Sequence, residues 1–107
     1  MINDIEKLKL YRNNNVTIDL IASQLGVKSI ELSNGIYHFK GLSFNDFINE
    51  MRLNYFIELI GQGKHKEFTI ISLATESGFN SKSTFNRYFK KRYNVTPLEY
   101  IKTELGD

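Results

Sequence analysis

The stretch from Thr69 to Tyr93, TIISLATESGFNSKSTFNRYFKKRY, constrains the fold more than any other part of the chain, because it reads as two short helices joined by a glycine turn. Ile70, Leu73, Ala74 and Ser77 share one side of the first helix, with Ala74 small enough for a close helix crossing. Gly78 supplies the residue that takes a positive φ cheaply and turns the chain. On the second helix, Phe85 and Phe89 are four apart and so share a core face. Counting about 100° per residue, Ser83, Arg87 and Lys90 fall opposite, flanked by Asn86 on one side and by Thr84 and Lys91 on the other. Between Asn80 and Arg92 there are five basic residues and no acidic one. A solvated surface helix is the bland reading of such a face. Turn, small residue and unopposed basic face together favour a helix lying in a DNA major groove, where phosphates demand charge and base edges demand donors.

The same pattern occurs earlier in the chain. Ile21, Ala22 and Gly26 match Leu73, Ala74 and Gly78 at an offset of 52, and Leu32 and Ile36 match Phe85 and Phe89 at 53, so the second turn holds one extra residue. Gly41, Leu42, Ser43, Asp46, Phe47 and Ile48 then match Asn94, Val95, Thr96, Glu99, Tyr100 and Ile101, each set a helix stop followed by a new cap. Thr96-Pro97-Leu98-Glu99 has the capping-box pattern with proline at the first helical position, and Ser43 with Asp46 is its weaker counterpart. Thr17 and Thr69 are expected caps for the first helix of each unit.

Ile2, Ile5 and Leu8 keep helical spacing until Asn13, Asn14 and Asn15, which predicts a packing helix ending near Arg12. Between the two copies, Phe44 to Ile60 reads as one long helix with a broad apolar stripe, a spacer of roughly 25 Å at 1.5 Å per residue. The expected fold is therefore all-α, about seven helices, divided into a first helix-turn-helix subdomain over 1–43, a central linking helix over 44–62 and a second helix-turn-helix subdomain over 63–107.

Composition excludes more than it assigns. The net charge of +2 is too modest to argue for nucleic acid, so the clustering of charge carries that inference. Absence of cysteine removes disulfides, thiol catalysis and thiolate metal sites. Two isolated histidines, His38 and His65, have no partners at metal-ligand spacing, so no catalytic site, metal or cofactor is expected. The N-terminal MINDIEKLKLYRNNN carries no sustained apolar run, which predicts neither a signal peptide nor a membrane contact and suits a cytoplasmic protein.

Gly78-Phe79, Ser81, Phe85, Arg87, Phe89-Lys90-Lys91, Thr96-Pro97 and Glu99-Tyr100, with Arg52-Leu53 and Leu59-Ile60 upstream, resemble the AraC/XylS type of bacterial transcription regulators over nearly the whole chain. The resemblance implies a double-stranded DNA-binding domain whose helix from about Ser81 enters the major groove, with Lys82, Ser83, Thr84 and Arg87 reading bases. The face count selects Ser83 and Arg87 independently. Lys90, Lys91 and Arg92, with Asn86 and Tyr88, are the expected phosphate contacts. Carried onto the first unit, the pattern gives Ile30, Ser33 and Asn34 as base readers, while geometry from Leu32 turns Ile30, Asn34 and Tyr37 outward. Asn34 suits adenine and Ile30 a thymine methyl, with Tyr37 and Lys40 on phosphate. The first unit departs from the family in its acidic Glu31, its mid-helix Gly35 and its few cations, and Phe56 stands where the family usually has a small residue. The resemblance also implies a sensor or dimerisation region elsewhere in a longer regulator. The rival expectation is a helix-turn-helix framework that docks on another regulator or on RNA polymerase instead of DNA.

Overall fold

Five hydroxyl side chains decide where helices begin. Thr17, Ser43, Thr69, Ser81 and Thr96 accept bonds from the amides of Leu20, Asp46, Ser72, Thr84 and Glu99 at 3.0–3.2 Å, each satisfying a donor that the first turn leaves orphaned. In the computed structural model, which describes residues 1–106, these starts define α2 (Ile18–Leu25), α4 (Phe44–Gly61), α5 (Ile70–Glu76), α6 (Lys82–Tyr93) and α7 (Pro97–Leu105). With α1 (Ile2–Lys7) and α3 (Ser29–Lys40) they make seven α-helices, and no strand occurs among the described residues. Thr96 and Glu99 form the full reciprocal capping box, the Glu99 carboxylate accepting from the Thr96 amide at 3.2 Å. Ser43 has no such return from Asp46, whose carboxylate is engaged elsewhere.

The repeat is a repeat of burial and of turn geometry. Ile21, Ala22, Leu32 and Ile36 are buried in one core, and Leu73, Ala74, Phe85 and Phe89 in the other. Both turns close alike: Val27 donates to the Ala22 carbonyl at 3.0 Å and Phe79 to the Ala74 carbonyl at 3.1 Å, with a positive-φ glycine just before each donor. Ser29 on α3 donates to Asp19 on α2, pinning the first pair of helices together.

Two expectations need correction. The N-terminal helix does not run to Arg12: it ends at Lys7, Lys9 takes a left-handed φ of 55°, and Leu10–Arg12 forms a separate 3₁₀ turn. The break brings Tyr11 into the first core, where it is 5% exposed, and turns its carbonyl toward α4. The central helix is also more than a spacer. Phe47, Ile48 and Met51 on its first half belong to the first core, while Leu53, Phe56, Leu59 and Ile60 on its second half belong to the other, so α4 forms a wall of both. The link to α5 contains a 3₁₀ turn at Lys64–Lys66.

Phe56 shows how the second core accommodates a bulky residue on α4. It is fully buried, with ring centroids 4.8 Å from Phe85 and 5.9 Å from Phe89. These edge and tilted contacts extend through Phe79, Tyr93 and Tyr100, fixing α6 against α4 and α7 through aromatic packing.

Candidate nucleic-acid interface

Helix α6 presents the surface that its sequence promised. Phe85 and Phe89 are fully buried, while Lys82, Ser83, Asn86, Arg87, Lys90 and Lys91 are all exposed. The side that is not core is thus a continuous strip of cations and hydrogen-bonding groups. Thr84 is half buried; its hydroxyl accepts from Ser81, which also lies 3.3 Å from Ser83, so the first turn carries a small hydroxyl network. The Arg87 guanidinium stacks 5.4 Å from the Tyr88 ring centre, a contact that restrains its swing.

Tyr88 and Arg92, two of the expected phosphate contacts, are engaged with α4. The Tyr88 hydroxyl donates to Asp46 at 2.7 Å, and burial, then the bond to Asp46, raises the phenol's pKa above its ordinary value. Arg92 pairs with Glu50 at 3.1 Å. Both side chains tie α6 to α4. Helical periodicity from Phe85 could not reveal this, because their partners lie 42 residues away.

On α3 the outward residues are mostly apolar or uncharged, with Glu31 and Lys40 at its two ends. Ile30 is 63% and Tyr37 71% exposed, Asn34 and Lys40 are exposed, and Ser33 is half buried beside the buried Leu32. Glu31, which looked out of place on a DNA-facing helix, accepts from the Lys28 amide at 3.4 Å and serves the helix start. Phe39 is 73% exposed near the end of the helix and forms an edge contact with His38 at 4.9 Å. His38 lies in the last turn of α3, and His65 sits half buried in the Lys64–Lys66 turn.

The residue that sequence reasoning missed is Arg52. It lies in the middle of α4 and is 7% exposed, donating to the Tyr11 carbonyl at 2.8 Å, to the Asn13 carbonyl at 3.1 Å and to Asn49 at 3.0 Å. Burial lowers the pKa of its guanidinium, and these three bonds offset that desolvation. The available signal was an arginine inside an apolar run, Met51-Arg52-Leu53, where a charge must find partners.

Comparison with known proteins agrees with this geometry. The family described as a helix-turn-helix domain matches residues 21–103. A probable transcription factor, PqrA of Proteus vulgaris, is 33% identical over 103 residues, a match spanning 94% of this chain and 82% of that protein. The TCP pilus virulence regulatory protein of Vibrio cholerae is 42% identical over 62 residues, but the match spans 58% of this chain and 21% of that protein. Among solved structures, the C-terminal domain of AraT, a response regulator from Geobacillus stearothermophilus, is similar with a TM-score of 0.79 at 25% identity, covering 95% of this chain and 84% of that one.

Proposed function

The chain belongs to the AraC/XylS type of helix-turn-helix domains, a DNA-binding transcription-regulator family, and from that membership we propose that it binds duplex DNA sequence-specifically through α3 and α6 in successive major-groove segments. The observation that carries the proposal is the exposed cationic strip of α6 set opposite a fully buried Phe85 and Phe89. In this reading Arg87 supplies the strongest base contact, a bidentate donation to guanine, with Lys82, Ser83 and Thr84 reading neighbouring positions. Lys90, Lys91 and Asn86 hold phosphates. The first unit reads through Asn34 and through the apolar contact of Ile30, with little electrostatic help. No helix is long and apolar enough to cross a membrane, and the cytoplasm, where bacterial DNA lies, is the proposed place of action.

A second reading has a specific observation in its favour: Ile30, Tyr37 and Phe39 leave the first unit with an exposed apolar surface that could dock on RNA polymerase or a sensor region. One experiment separates the two. Arg87→Ala should lose about 1 to 3 kcal/mol of preference for its best site over random duplex. Lys91→Ala should weaken binding to both and reduce the salt slope by about one. Equal losses on specific and random DNA for Arg87→Ala would overturn the assignment, and salt-insensitive binding to a protein alone would favour docking.

A further inference from the structure

We propose that Arg52 is a positioning residue: it holds the segment Leu10–Asn14 of the first unit as a strap against the turn that feeds α6, and so fixes the spacing and pitch of the two reading helices. The inference rests on the two-unit reading above and assigns the control of its geometry.

The strap touches both ends of that turn. Arg12 donates to the carbonyl of Glu76, the last residue of α5, at 3.0 Å, and its guanidinium lies 3.5 Å from the Glu76 carboxylate. Asn80, immediately before the α6 cap Ser81, donates to the Asn14 carbonyl at 3.1 Å. Between them sits Gly78, where an added Cβ would lie 3.0 Å from the Arg12 Cα and 2.7 Å from the Arg52 Nε. Arg52 joins the pieces from below, donating to the Tyr11 and Asn13 carbonyls while its guanidinium lies 5.9 Å from the Phe79 ring centre. The strap lies outside the residues matched to the helix-turn-helix family, which begin at 21, yet it braces the second unit's turn.

Helix α4 alone gives weaker control. Each unit packs on its own half of α4, and the two cores share the half-buried Tyr55 as their common neighbour. Apolar contact is non-directional and permits rocking, whereas charge-assisted bonds to fixed carbonyls define an angle. Arg12 stacked 4.6 Å over the Tyr55 ring places a further anchor at the same junction.

The chain has no cysteine, so spin labels can be placed on introduced Gln24→Cys in α2 and Lys102→Cys in α7, both exposed positions away from the reading helices. Pulsed electron spin resonance on the free protein should give a narrow distance distribution that broadens about twofold with Arg52→Gln, and to a lesser degree with the half-exposed Arg12→Ala, at unchanged helix content. Should Arg52→Gln fail to fold, Arg12→Ala and Asn80→Ala carry the test. The second readout is a spacing series. One base pair inserted between half-sites rotates them by about 34° and should reduce parent affinity about tenfold, against about twofold in the Arg52 variant. Unbroadened distances in the folded variants, or an undiminished spacing preference, would overturn the proposal. A parent indifferent to spacing would instead overturn the two-unit reading, while the label distances still judge the strap.

Discussion

A Cβ on Gly78 would overlap the backbone carbonyl oxygen of Tyr11, so the turn of the second unit is closed around a contact with the first. With φ at +117°, Gly78→Ala combines backbone strain with a collision against main chain that cannot move aside. It should cost about 3 kcal/mol or more. Gly26, its counterpart at φ +72° with nothing near the missing Cβ, should cost about 1 to 2 kcal/mol on the same substitution. Chemical denaturation of the two variants measures the difference directly, and similar losses would mean that the strap contact is soft.

The aromatic cluster of the second core makes Phe56→Ala severe. The ring is fully buried against Phe85 and Phe89, so its removal leaves a cavity under α6 and should cost about 3 to 5 kcal/mol. Denaturation with fluorescence or circular dichroism reads this loss, while Phe56→Leu should recover much of it.

Gly35→Ala should act in the opposite direction. The position is in the interior of α3 with ordinary helical φ, and the nearest obstacle is the flexible end of the Met1 side chain, 2.8 Å from the added methyl. Met1 is 43% exposed and can swing away. A gain of about 0.5 to 1 kcal/mol in unfolding free energy is expected from helix propensity alone.

Stability should fall on the alkaline side. Tyr11, Tyr88 and Tyr93 all have raised pKa values, burial being the first cause in each. The native state therefore holds protons that the unfolded chain releases, so their contribution is complete below about pH 10, the ordinary phenol value, and is lost as pH rises through the native values. Urea unfolding at about pH 8 and about pH 11 should show the drop, and Tyr88→Phe should remove part of it. Glu99 works in the other sense: the bond from the Thr96 amide, then that from its hydroxyl, lowers its pKa. Its support for α7 is present above the ordinary carboxylate pKa and disappears as pH falls through the lowered one.

Sequence periodicity was enough to locate both helix-turn-helix units, because their signals are local: a cap, a glycine and apolar pairs four apart. Thr17, Thr69 and Thr96 cap where expected, and the outward exposure of Ile30, Asn34, Tyr37, Ser83 and Arg87 follows from the same count. What periodicity could not give was contact across the chain. Tyr88 with Asp46, Arg92 with Glu50 and Arg52 with Tyr11 are separated by 41 or 42 residues, and these pairs tie α6 and the N-terminal segment to α4. The broken N-terminal helix has the same origin, since the left-handed Lys9 makes sense once Tyr11 has to enter the core and offer its carbonyl to Arg52.

The measurement that tests the central claim most directly is selection of binding sites from a random duplex library, followed by titration of the best and a scrambled site at two salt concentrations. The account predicts an enriched motif in two blocks about 10 base pairs apart, with a steep salt dependence carried mainly by the α6 block. A single block would contradict base reading by α3. Uniform weak binding without enrichment would contradict sequence-specific recognition altogether.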